Sequence, residues 1–154
     1  RNAVVLNNDK NKEDYGRLEE AYTEIEQTLG IAAIRLEYMP QNLIYTNTVI
    51  TGDTATMLFK CGDNYFNVVQ QIRSVENSSG ITSDRNNSNG NTVYNNWLNK
   101  TIEIQTSSVD NQKIEYSAEV IFEDSYYYLS GVIDKDDFVN IVKNLYIETG
   151  ERDK

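Results

Sequence analysis

The chain contains no histidine, one cysteine and one proline. Each shortage removes a class of function. Without histidine there is no Ser-His-Asp or Cys-His arrangement, no imidazole acid–base catalysis and no His-containing zinc site. Cys61 alone cannot form an internal disulfide or a cysteine-rich metal site. It lies in Lys60-Cys61-Gly62-Asp63-Asn64, where nothing activates it and Asp63 tends to raise its pKa, so it reads as a small apolar residue ending a strand. No stretch approaches the ~20 apolar residues of a membrane helix. Positive charge is scarce too: 14 Lys and Arg face 24 Asp and Glu, a formal net charge of −10. The basic residues are scattered singly. Such a field repels phosphate backbones and anionic headgroups, so no nucleic acid is expected as a partner. A membrane is expected only through an anchor outside this chain.

What is present looks globular. A chain of 154 residues suits one domain. It buries roughly 70% of its unfolded surface, enough to fold without disulfides or metal. Aromatic surface comes mainly from 11 Tyr, against 4 Phe and 1 Trp. Tyrosine suits half-buried strands, where the ring packs and the hydroxyl reaches water.

Residues 1–12 are rich in Asn, Asp and Lys and read as a linker or loose arm. From residue 13 the pattern is helical: Tyr15, Leu18, Tyr22, Ile25 and Leu29 recur at steps of three and four, with Glu19, Glu20, Glu24 and Glu26 largely opposite. Asn11 or Asp14 serves as the cap, and Gly30 stops the helix. Ile34, Leu36 and Tyr38 alternate before Met39-Pro40 breaks the strand. Leu43 to Thr51, Thr54 to Cys61 and Tyr65 to Arg73 form a meander whose turns are Gly52-Asp53 and Cys61-Gly62-Asp63-Asn64.

Residues 74–92 form a polar loop whose composition favours disorder. Beyond it, Ile114, Tyr116, Ala118, Val120 and Phe122 alternate with mostly polar residues, a strand with one dry face. Asp124-Ser125 turns it back into Tyr126 to Gly131. Asp134 then caps a second helix, with Asp136 and Asp137 at the positive end of its dipole. Phe138, Ile141, Val142, Leu145 and Tyr146 form that helix's apolar face. Residues 150–154 are a tail. The domain is thus 13–149, of α+β class: an antiparallel, curved sheet of six or seven strands with the N-terminal and C-terminal helices packed on it.

Little chemistry can be assigned. The Asp134, Asp136 and Asp137 cluster is explained by helix capping, with Asp134 and Asp137 as the cap residues. The segment lacks the glycine and distal glutamate of an EF-hand loop. No Gly-rich phosphate cradle and no nucleophile elbow is present. No catalytic residue, cofactor or metal is expected. For binding, Val93-Tyr94-Asn95-Asn96-Trp97-Leu98 beside the polar loop offers Tyr94 and Trp97 as ligand or partner contacts. Burial of Trp97 in the core is the competing expectation.

The segment Tyr126-Tyr127-Tyr128-Leu129-Ser130-Gly131-Val132-Ile133-Asp134-Lys135-Asp136-Asp137-Phe138, running on through Ile141-Val142-Lys143-Asn144-Leu145, resembles the C-terminal signature of the bacterial family called domain of unknown function 4367. There an aromatic strand ending in Leu-Ser-Gly meets an acidic-capped helix. Leu36-Glu37-Tyr38-Met39-Pro40 is similar to the proline-containing segment that leads into the family's sheet. The resemblance covers most of residues 13–147, without the Asn-rich loop. It implies a domain outside the cytoplasm, after an export signal or a membrane-spanning segment, in proteins that look like regulators, with no catalytic residues to carry over. The start at Arg1 rather than Met is compatible with such an anchor upstream. The shape is also similar to PsbP-like and lipoprotein-carrier folds. The expectation is a non-catalytic extracytoplasmic sensory or protein-interaction domain whose partner is another protein or a small ligand. A small-molecule or lipid carrier is the alternative, and a carboxylate-based hydrolase comes third.

Overall fold

A computed structural model describes residues 9–73, 91–109 and 112–148, with side chains from Gly16 onward. Residues 1–8 of the expected arm, positions 74–90 of the polar loop and the expected tail lie outside the described residues. The first helix, α1, spans Asp9–Leu29, so it takes in residues 9–12 that composition assigns to the arm. Those residues are polar but include neither Gly nor Pro, and polarity alone does not oppose a helix. Leu18, Tyr22, Ile25 and Leu29 are buried as the spacing requires. Gly30, at φ 74°, ends the helix, its N–H donating to the Glu26 carbonyl at 2.9 Å.

Among the described residues, nine strands follow in two sheets. Strand β1 (Ile34–Leu36) is succeeded by β2 (Leu43–Thr51), β3 (Thr54–Cys61) and β4 (Asn64–Ile72), the meander expected from its turns. Gly52 and Gly62 take φ of 60° and 62° at the first position of two-residue loops, the order a type II′ hairpin favours. After the polar loop come β5 (Thr92–Asn95), β6 (Lys100–Val109), β7 (Lys113–Phe122) and β8 (Ser125–Gly131). The large sheet is antiparallel and open, in the order β2-β3-β4-β8-β7-β6-β5. Its middle is the β4–β8 pairing, which joins the two meanders.

The second helix, α2, spans Lys135–Lys143, and β9 covers Leu145–Ile147. Leu145 and Tyr146 therefore do not extend the apolar face of α2, as their spacing suggests. Asn144 closes the helix, its Nδ2 donating to the Asn140 carbonyl at 2.8 Å. The chain then pairs with β1 in a separate two-stranded sheet, Ile34 opposite Ile147 and Arg35 opposite Tyr146. Leu-Tyr-Ile suits a strand as well as a helix face, and a distant partner decides the outcome.

The helices and the large sheet share one continuous core. Tyr45, Phe59, Phe66 and Phe138 run through it as successive edge-on contacts, with centroids 5.5, 5.6 and 6.1 Å apart. Tyr127, Leu129, Met57, Ile141 and Leu145 fill the space around them. Gly131 closes the Leu-Ser-Gly motif where β8 passes Phe66, and a Cβ there would lie 2.8 Å from the Phe66 ring and 2.9 Å from its Cα. At the edge strand β2, a bulge between Tyr45 and Asn47 breaks the register. Arg17 of α1 reaches this point, donating to the Tyr45 carbonyl at 3.3 Å and the Thr46 carbonyl at 2.8 Å.

Candidate functional site

The turn between β5 and β6 displays the residues singled out for binding. Asn95 and Lys100 are opposite each other, and Asn96 to Asn99 close the loop, with the Asn99 N–H donating to the Asn95 carbonyl at 2.8 Å. Asn99 takes φ 59°, a conformation Asn tolerates better than most residues. The fixed point is the Asn95 side chain, which is fully buried. Its Nδ2 donates to the Val142 and Leu145 carbonyls at 2.8 and 2.9 Å, and its Oδ1 accepts from the Leu98 N–H at 2.8 Å. One amide thus serves a carbonyl at the end of α2, the start of β9 and the inside of the turn. That end of a helix has carbonyls in need of donors, and Asn95 supplies one.

Held this way, the turn places Trp97 against Tyr146, ring centroids 5.4 Å apart and planes tilted by 42°. Trp97 remains 43% exposed and Tyr94 48%, so Trp97 is not a core residue. The two sequence-predicted aromatics are used separately: Trp97 packs on β9, whereas the Tyr94 hydroxyl donates to Asn99 Oδ1 across the turn.

Tyr146 continues the surface toward Arg35, its partner across the small sheet. The Arg35 side chain is only 8% exposed and lies over the Tyr22 ring, 4.8 Å from its centroid. Its terminal nitrogens meet Glu19 at 3.0 Å and Glu26 at 3.2 Å, and its Nε lies 4.0 Å from Glu148. Burial opposes the charge of Arg35, but these carboxylates outweigh it and the guanidinium pKa moves up. Three carboxylates against one guanidinium leave a formal local charge of −2. Burial raises the Tyr22 hydroxyl pKa despite the Leu36 N–H that it accepts at 3.0 Å.

The acidic helix start is structural. Asp134 accepts from the Asp136 N–H at 3.1 Å and caps α2 as expected. Asp137 instead accepts the Tyr38 hydroxyl at 2.9 Å, tying the chain after β1 to α2. Cys61 is buried, and burial raises its thiol pKa. The charges that add to this effect are those of Asp137 and Asp134 rather than that of Asp63. Among the described residues, no group of three or more Cys, Asp and Glu side chains could hold a metal ion, and no helix is long and apolar enough to cross a membrane.

Sequence reading missed Asn95 as the buried support of this surface, and Arg35, Tyr146 and Glu148 as its neighbours. The available signal was weak: Asn95 sits among three other asparagines nearby, and Arg35 is a lone cation between apolar residues. No protein-family model matches the chain, and no curated protein is detectably similar to it.

Proposed function

We propose that this chain is a non-catalytic binding or sensing module, working outside the bacterial cytoplasm as part of an anchored or exported protein, and engaging a partner protein through the Trp97–Tyr146 surface. The observation that carries the reading is that surface itself. A large aromatic side chain stays 43% exposed while a fully buried amide fixes the turn that bears it. Exposed aromatics on a rigid support are the usual material of interaction hot spots. The extracytoplasmic placement rests on the resemblance of residues 126–145 to the family named above.

The carboxylates support a binding role over a hydrolytic one. Glu19 and Glu26 are engaged by Arg35, Asp137 by Tyr38, and Asp134 by the helix start. The carrier reading requires an apolar cavity of several hundred Å3 between sheet and helices. Phe66, Phe138, Tyr127, Leu129 and Met57 pack that space at 0–1% exposure, which speaks against it.

A photo-crosslinking residue placed at position 94 of the full-length protein in its host tests both halves. Discrete adducts to another extracytoplasmic protein are expected. Adducts formed only with cytoplasmic proteins would reject the placement, and none from either position 94 or position 97 would reject the surface.

A further inference from the structure

The chemistry around Trp97 narrows the partner, on the footing of the binding role just proposed. We propose that the Trp97–Tyr146 platform receives a cationic side chain, a guanidinium or an ammonium, from a partner protein. Ring faces attract cations through their quadrupole, and Trp does so best. The platform lies beside the Arg35 cluster, whose carboxylates exceed its cation by two charges. Of those acids, Glu148 keeps 63% and Glu19 44% of its side chain exposed while facing Arg35, so their excess negative charge reaches the surface beside the platform. The net charge of −10 adds a field that draws cationic partners in and turns anionic ones away.

The fold already uses the same contact internally. Arg35 sits over Tyr22 at 4.8 Å and Arg17 over Tyr45 at 4.9 Å, each with additional polar partners for the guanidinium. The platform joins two more rings to this acidic cluster, because Tyr146 lies opposite Arg35 in the small sheet. A neutral saccharide also stacks on aromatic faces, but the surrounding acids give it no advantage. The charge therefore favours the cation.

Trp97 is the only tryptophan, so its fluorescence reports on this site alone. The full chain is titrated with hexa-arginine and, separately, with a neutral hexasaccharide such as maltohexaose. Hexa-arginine should give a saturable change that weakens with salt, while the saccharide gives none. Affinity is then measured by calorimetry for Trp97→Ala and for Glu148→Gln combined with Glu19→Gln. Each should bind about tenfold more weakly, while Trp97→Phe, which keeps an aromatic face, retains most of the affinity. Unchanged melting of Trp97→Ala shows that the loss is local. Full affinity in Trp97→Ala would mean the peptide is drawn only by net charge, and would overturn the proposal. A saturable response to the saccharide but not to the peptide would overturn it as well. Crosslinks from position 94 alongside silence toward hexa-arginine would reject the cationic partner while leaving the binding role standing.

Discussion

The side-chain amide of Gln70 pairs with both backbone groups of Ile34. Its Oε1 accepts from the Ile34 N–H at 2.8 Å and its Nε2 donates to the Ile34 carbonyl at 3.3 Å. A side chain of β4 thus acts as a further rung for β1, fastening the small sheet to the large one. Gln70 is fully buried, so no water replaces these bonds. Gln70→Leu keeps the volume but leaves both Ile34 groups unpaired, and should cost about 2–4 kcal/mol. Urea unfolding measures it, and a cost under about 0.5 kcal/mol would mean the rung is dispensable.

Asn95→Ala removes the amide that joins the β5–β6 turn to the end of α2. Three backbone groups lose their partner, and a loss of about 2–3 kcal/mol is expected. Trp97 emission should shift in the folded variant because its turn is no longer held. An unaltered spectrum together with unaltered stability would count against Asn95 as the support of the platform.

Gly131→Ala introduces a methyl within 2.9 Å of the Phe66 Cα and the Tyr65 carbonyl, as well as 2.8 Å from the Phe66 ring. Two of these neighbours are backbone and cannot rotate away. The strand pair β4–β8 must open slightly, at about 2–3 kcal/mol. Thermal melting of the variant is the measurement, and a melting temperature like that of the parent would refute the close approach.

Glu123 adopts φ 55° in the two-residue loop between β7 and β8, where a Cβ is disfavoured. Glycine takes this conformation freely, so Glu123→Gly should stabilise by about 0.5–1 kcal/mol despite its greater unfolded-state freedom. The same unfolding assay decides the sign.

Alkali should unfold the domain cooperatively. Burial pushes the Tyr127 hydroxyl up to about 12 from its ordinary 10.0, and raises Tyr22 too. A raised pKa means the fold prefers the neutral phenol. This contribution is fully present below pH 10 and is lost as pH climbs toward 12. Tyrosinate absorbance and circular dichroism followed together should show a late group of tyrosines ionising only as structure is lost. Complete ionisation with the fold intact would contradict the burial.

The parts legible in the sequence are those governed by near neighbours. Gly52-Asp53 and Gly62-Asp63 mark their hairpins because the left-handed glycine conformation is a local demand. Asp134 is legible as a cap because its acceptor needs an N–H two residues on. The core stripe of α1 follows from helical spacing, and the strand–turn–strand of β7 and β8 from alternation.

What was not legible depends on contacts between distant segments. Leu145 and Tyr146 fit the face of α2 by spacing, and only β1, more than a hundred residues earlier, makes them a strand. Asn95 looks like any loop asparagine until Val142 and Leu145 are brought to it. The Trp97 surface was half visible: its exposed aromatics could be named, but Tyr146 and the Arg35 cluster join them only in three dimensions.

The bulge at Thr46, with Arg17 laid against it, bears on how copies of this chain behave when crowded. Strand β2 is a nine-residue outer strand, long enough to template another. At its midpoint the register slips, and a guanidinium occupies the Tyr45 and Thr46 carbonyls. An incoming strand would meet a positive charge where it needs acceptors, and an offset where it needs even spacing. The contact that docks the first helix therefore also guards this edge against edge-to-edge pairing with another copy.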